Sequence, residues 1–340
     1  MKINLPFVSK KPVSLTLSRG PHVESEHLLD VSLFNSIGDP ILVFGNTESV
    51  IFPRSAIKIF QTIPLIQSGA FAYFDLNEKQ IALASSSHSG EVSHIYYLKD
   101  WLKKINIGEK YLKCGVHNPL NIMSSNKLLL SGKKPTSIYN NCSGKHLSMI
   151  TTSIFNKYSI KNYTNLNHPI QKNIYYILED FTEHKILKKS IGIDGCSIPQ
   201  YAFPLHSLAL AMEKVSNYKK LQFDISFCLN KLLYCISKNP FYIGGTERFD
   251  SELMKITKGR IFCKGGAEGI IMFSDLKNKY GGIIKVKDGN LRAIPSATIK
   301  LLKKIGSISK LEENKLKKWN PEAIYNHAKI KVGEISCSNL

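Results

Sequence analysis

The stretch "SVIFPRSAIKIFQTIPLI", residues 49–66, decides the fold. Apolar, β-type residues lead into Pro53, and beyond it apolar side chains recur at helical spacing with little polar relief. A proline suits the first turn of a helix, so this is a strand-to-helix boundary. A helix apolar on nearly every side belongs in an interior rather than on a surface. Ser55 stands at that boundary with Lys58 three residues on, which puts both on one helical face. Ser124/Lys127, Ser131/Lys134, Ser216/Lys219 and Ser307/Lys310 share the spacing but sit in polar, lysine-rich surroundings. Only at Ser55/Lys58 would the lysine be carried inside. Two readings stand: a capping serine with a lysine that snorkels to solvent, or a nucleophile with a base whose pKa burial lowers.

On the amino-terminal side, "HLLDVSLFNS" and "PILVFGN" read as strands joined by the turn "IGDP". On the other side, "QIALASSSHSGEVSH" reads as a strand running into a serine-rich loop. Helical periodicity then dominates from about 95 to 235. It gives way to the strand-like runs "GRIFCKGGAEGIIMFSD" and "GGIIKVKDGN" and a last amphipathic helix, "SATIKLLKKIGS". Strands at both ends with helices between imply one α+β (α/β sandwich) domain in two lobes. The sheet lobe is expected over roughly 10–60 plus 255–310, and the inserted helical lobe over roughly 95–250.

The chain has 340 residues, 43% of them hydrophobic, enough for a sizeable core. No apolar run reaches the ~18–20 residues that span a bilayer, and "MKINLPFVSKKPVS" lacks the apolar core of an export signal. A cytoplasmic protein without a membrane partner is expected. The net charge of +20 suggests nucleic acid, but only five of the 46 basic residues are arginines (Arg19, Arg54, Arg248, Arg260 and Arg292) and the lysines are scattered. Arginine is the usual base-edge and bidentate phosphate reader, so no nucleic-acid partner is expected. The seven cysteines are odd in number and irregularly spaced, with no C-x-x-C pair. That excludes a zinc ribbon and argues against a disulfide framework.

Three further stretches can carry chemistry. In "FCKGGAEGIIMF", Lys264 precedes two glycines between strand-like runs, where a substrate backbone could approach or the lysine could lower the pKa of another. In "ASSSHSGE", Ser87 could relay a proton between two lysines, or belong to a hydroxyl-rich turn. "NNCSGKH" and "GIDGCSIPQYAF" place Cys142 and Cys196 in turns 54 residues apart. Two thiolates bind zinc well, and Lys145, His146 or water could complete the set; a lysine ligates only when neutral, so ligand chemistry alone favours His146. The alternative is two buried cysteines in turns. "GGTERFD", residues 244–250, reads as a turn before a helix.

Taken in order, "FPRSAIK", "SSHSGE", "YNNCSGKH", "GIDGCSIP", "GGTERFDSELM" and "CKGGAEG" resemble the thermolabile L-asparaginase II family, the Rhizobium-type asparaginases, from about residue 15 to 310. The resemblance implies a serine β-lactamase/glutaminase-like fold, an antiparallel sheet built from both termini and flanked by helices. It implies hydrolysis of L-asparagine to L-aspartate and ammonia by a homodimer. On the matching positions Ser55 would be the nucleophile and Lys58 its base, with Ser87 and Lys264 a second serine–lysine pair. A zinc would be held by Cys142, Lys145, Cys196 and water, shaping substrate binding rather than acting as the primary catalyst. His146 and Asp194 would contact substrate or support the metal. Arg54, beside the nucleophile, could meet the substrate α-carboxylate. A glutaminase or penicillin-recognising hydrolase on the same fold, and a non-catalytic zinc-binding homologue, are the alternatives.

Overall fold

The structure is a computed structural model that describes residues 6–338 and 340. The first five residues of the amino-terminal stretch weighed above as an export signal lie outside it. The chain divides into two compact units: 1–56, 203–217 and 260–340 form one, and 57–202 and 218–259 the other.

Among the described residues, the first unit is built on a nine-stranded sheet. Its spine is the 13-residue strand His22–Phe34. One edge of that strand pairs first with Val13–Arg19 and then with Pro40–Phe44, both antiparallel; the other edge pairs antiparallel with Tyr280–Val286. Ile270–Asp275 and Ile261–Gly266 continue the sheet beyond Tyr280–Val286, so the two ends of the chain share one sheet. The carboxy-terminal strand Lys331–Ser338 adds to Val13–Arg19, with Ile335 opposite Leu17. One pair departs from the antiparallel pattern: Phe7–Ser9 runs parallel to Pro40–Phe44. Ile270–Asp275 is buried at all six positions, so both its faces are covered. The helices Leu205–Ser216 and Ala293–Lys304 pack on these strands. Gly281 marks how closely the first of them lies: a Cβ there would come within 1.8 Å of the Glu213 backbone nitrogen.

The second unit is helical, around Lys58–Gln67. Nine consecutive residues of this helix, Lys58 through Ile66, are buried, as its all-round apolar pattern requires. Ser143–Phe155, Pro169–Thr182 and Phe223–Lys238 pack around it, with Phe60 and Phe181 ring centroids 4.8 Å apart. Residues 78–84, read above as a strand, are a helix. Asn77 caps it, accepting from the Lys79 and Gln80 N–H groups, while the Gln80 side chain returns to the Asn77 N–H. A short apolar run fits either element, and a reciprocal cap of this kind settles it as a helix. Gly144 then lets the helix Ser143–Phe155 start against the end of this one: a Cβ would sit 2.1 Å from the Leu83 carbonyl oxygen. That approach sets the serine-rich loop 85–90 beside the Cys142 turn. Among the described residues no helix is long and apolar enough to cross a membrane.

Candidate active site

Lys58 opens the central helix of the helical unit with none of its surface exposed. Its ammonium nitrogen donates to the Ser86 carbonyl, to Ser87 Oγ at 3.1 Å and to the Asn141 carbonyl at 3.4 Å. Burial lowers its pKa. The Cys142 thiol partly offsets this, and the Lys145 cation adds to it. A lysine so placed approaches the neutral form that a general base requires.

Ser87 is held through its backbone as well as its hydroxyl. Its N–H donates to the Ile243 carbonyl at 2.8 Å, and its own carbonyl accepts from Arg248 Nη1 at 3.2 Å. The neighbouring His88, fully buried, ties the same loop to the helix that starts at Ser143. Its Nδ1 accepts from the Gly90 N–H at 3.1 Å, and its Nε2 donates to Ser143 Oγ at 2.8 Å. Burial pushes its pKa well down, so the imidazole is neutral and this tautomer follows.

The second group of site residues is ordered by two turns. Asn140 fixes the first: its Oδ1 accepts from the Cys142 N–H at 2.9 Å, and its Nδ2 donates to the Cys114 carbonyl at 2.8 Å. His117 Nε2 accepts from the Asn141 N–H at 3.0 Å. The second turn, 194–198, joins the strands Ile191–Ile193 and Pro199–Tyr201. There Asp194 N–H bonds to the Ile198 carbonyl, and Ser197 takes a left-handed φ of 73°. The result is a buried cluster. Ligand atoms of Cys142, Asp194 and Cys196 lie within 4.8 Å of one another. Lys145 Nζ is 3.0 Å from Cys196 Sγ and 3.4 Å from Asp194 Oδ2, and the Cys196 thiol donates to Asp194 at 3.3 Å. Bonding to Cys196 holds Cys142 well below its ordinary pKa, and the same bond, with burial, raises Cys196. Burial disfavours the Lys145 ammonium, but Cys142, Cys196 and Asp194 together outweigh it and raise its pKa.

These residues fit a zinc ion in donor chemistry. Two sulfurs and a carboxylate converge in a buried site, a soft-to-borderline set suited to Zn²⁺. Lys145 lies in the same cluster, as a cation that must lose its proton to ligate. His146 does not join the cluster. Its Nδ1 is 2.5 Å from the Tyr163 hydroxyl, which itself accepts from the Lys113 N–H at 2.9 Å. Tyr163 therefore donates to Nδ1, and the hydrogen of His146 sits on Nε2. Burial pushes the pKa of His146 well down.

Arg54, Ser55 and Lys264 belong to the sheet unit. Ser55 lies in the 3₁₀ turn Arg54–Ile57, half-buried. Arg54 just before it has a φ of 52°, a left-handed conformation that a side chain pays for in strain and that clusters at functional sites. Lys264 is fully buried on the strand Ile261–Gly266, with Nζ donating to the Gly265 carbonyl at 2.9 Å. Two residues on, a Cβ at Gly266 would stand 2.5 Å from the Pro53 carbonyl oxygen. The lysine-bearing strand thus runs directly against the turn that carries Ser55, and only glycine permits it.

The sequence reading had not singled out His88, His117, Asn140, Tyr163 or Arg248. Neither a lone His nor an Arg before a helix announces a partner elsewhere in the chain.

Two solved structures resemble the chain at low identity. One is Mglu in its native form in the presence of 4.3 M NaCl, 12% identical with a TM-score of 0.38, covering 82% of this chain and 60% of that one. The chain thus spans 60% of that structure's length. The other is a candidate β-lactamase from Bacteroides dorei DSM 17855, 9% identical with a TM-score of 0.38, covering 86% and 94%. Among curated proteins none matches the chain. A family profile for L-asparaginase II matches residues 15–337, which takes in every site residue described above. With that match over nearly its whole length, the chain belongs to the L-asparaginase II family, a family of amidohydrolases.

Proposed function

We propose that the protein hydrolyses L-asparagine to L-aspartate and ammonia, with Ser55 as nucleophile and Lys58 as its base. The observation that carries this reading is the burial of Lys58, which lowers its pKa while its amine bonds to Ser87 Oγ. Ser55 Oγ attacks the side-chain amide carbon and gives its proton to neutral Lys58. The oxyanion rests on backbone N–H groups, that of Ser55 among them. The C–N bond breaks as Lys58 passes the proton to the departing nitrogen, releasing ammonia and leaving an aspartyl ester. Water then cleaves the ester: the same lysine accepts its proton and returns it to the leaving Ser55 Oγ, which restores both residues. Ser87 and Lys264 complete the proton network. Arg54 meets the substrate α-carboxylate, and His146 offers its Nε2–H.

Cys142, Cys196 and Lys145 would hold zinc, with Asp194 beside them. Bound there, the ion supplies a fixed positive charge for substrate binding.

The test is ammonia release from L-asparagine by the purified protein beside Ser55→Ala. Release that vanishes in the variant supports the reading. Release unchanged in the variant sinks Ser55 as nucleophile. Release from glutamine but not asparagine, or turnover of nitrocefin, would move the substrate assignment to the corresponding alternative.

A further inference from the structure

The Gly-Gly-Thr tract at 244–246 looks in the sequence like a mere turn before the helix Phe249–Ile256. Its contacts make it more. Ser87 lies between two of its neighbours: its N–H bonds to the Ile243 carbonyl at 2.8 Å, and its carbonyl to Arg248 Nη1 at 3.2 Å. Ser89 Oγ donates to the Gly244 carbonyl and, at 3.2 Å, to Glu91 Oε1. Glu91 grips the turn from the other loop. Its two oxygens accept from the Thr246 N–H and the Thr246 hydroxyl, each at 2.7 Å. The two loops touch so closely that a Cβ at Gly245, whose φ is 115°, would meet Ser89 Oγ at 2.0 Å and Glu91 Oε1 at 2.3 Å. The far side of the turn is open. Gly245 and Thr246 line a groove of about 720 Å³ with Phe241, Tyr242 and Lys255, so little packing on that side can replace these bonds.

We infer that Glu91 and Arg248 are positioning residues: they clamp the loop carrying Ser87 to the 243–248 turn and so hold Ser87 Oγ at Lys58. Neither touches Lys58 in this arrangement; each acts through the backbone around Ser87. Glu91 uses both carboxylate oxygens on one residue of the turn, a charge-assisted pair that a neutral amide cannot reproduce with both atoms. Arg248 braces one peptide carbonyl next to the relay hydroxyl. A displacement of order 1 Å there would cost the 3.1 Å bond between Ser87 and Lys58. This rests on the reading of Ser87 as part of the proton network, and the experiment keeps the two apart.

The experiment combines kinetics of ammonia release with amide exchange, on wild type, Arg248→Gln, Arg248→Lys, Glu91→Gln, Ser87→Ala and the doubles with Ser87→Ala. Exchange at the Ser87 N–H is expected to rise at least tenfold in Glu91→Gln and Arg248→Gln, with less effect in Arg248→Lys. The kcat is expected to fall about tenfold or more, with KM within about threefold. In the Ser87→Ala background the same substitutions should change kcat by less than about twofold. Unchanged exchange at Ser87 overturns the clamp whatever the kinetics. An equal fall of kcat with and without Ser87 overturns the claim that it acts through Ser87. Full activity in Ser87→Ala removes the relay reading instead, and the exchange data then decide the clamp alone. If Arg248→Gln fails to fold, Glu91→Gln carries the same test.

Discussion

Acid should unfold this protein through a small number of buried imidazoles, and His94 gives the clearest magnitude. It is fully buried in the helix Val92–Lys104, stacked on Phe241 with ring centroids 4.6 Å apart and planes 7° from parallel. Its Nδ1 accepts from the Glu91 N–H at 3.2 Å, and its Nε2 meets the Phe241 carbonyl at 3.3 Å. Both bonds are made by the neutral ring, and a proton on Nδ1 would break the first. Burial therefore pulls its pKa from 6.5 to about 4; the Phe241 carbonyl and Glu91 offset this only in part, and Arg248 adds to it. In the unfolded chain the ring binds its proton near pH 6.5. Between that pH and 4 the unfolded state holds the extra proton, so stability falls as pH falls. At about 1.4 kcal/mol per pKa unit the loss through His94 is about 3 kcal/mol across the window. The assay is urea unfolding at steps from pH 7.5 to 4, followed by the fluorescence of buried Trp101 in the same unit. His94→Gln should begin less stable at pH 7 but lose about 3 kcal/mol less than wild type on the way to pH 4. The same pH slope in both proteins would refute the reasoning. His88 and His146, whose pKa values burial also depresses, add losses of the same sign that persist in the variant.

Other consequences follow from the same contacts. Lys58→Met should abolish ammonia release, by about 10³-fold or more, while far-UV circular dichroism stays native, because methionine fills the space of a buried lysine without its charge; activity within tenfold of wild type would exclude Lys58 as the base. Chelation should strip zinc and raise KM more than it lowers kcat, read by metal content alongside kinetics; a collapse of kcat at constant KM would make the ion a direct catalyst. Gly144→Ala forces a Cβ to 2.1 Å from the Leu83 carbonyl and should destabilise by about 2 kcal/mol or more, measured by thermal unfolding; a melting temperature within a degree of wild type would mean the two helix ends separate freely.

Much of this architecture is written in local pattern. Apolar alternation and turn residues mark the strands around 28–44 and 261–286, and the unbroken apolar helix after Pro53 marks its own burial. From that burial comes the most informative feature of the candidate site: desolvation lowers the pKa of Lys58, where in the equally buried Lys145 neighbouring thiols and a carboxylate reverse the shift. The serine before it, the two turn cysteines and the late lysine-glycine pair were equally legible as candidates.

Tertiary structure decided what periodicity and spacing cannot encode. The helix 78–84 is the exception, since both its Asn77–Gln80 capping box and its helix-forming residues are local. The strand Lys331–Ser338 joins the sheet on Val13–Arg19 across more than 300 residues of chain, a pairing with no local trace. Asp194 reaches Lys145 and Cys196 because a hairpin turn folds back on the helix start. The tract 244–248 holds the Ser87 loop because glycine leaves no side chain in the way. A residue type determines which proton, charge or ligand atom is on offer, and that is local information. Its pKa, its tautomer and its partners depend on what the fold removes from water around it and which distant groups it sets within 3 Å.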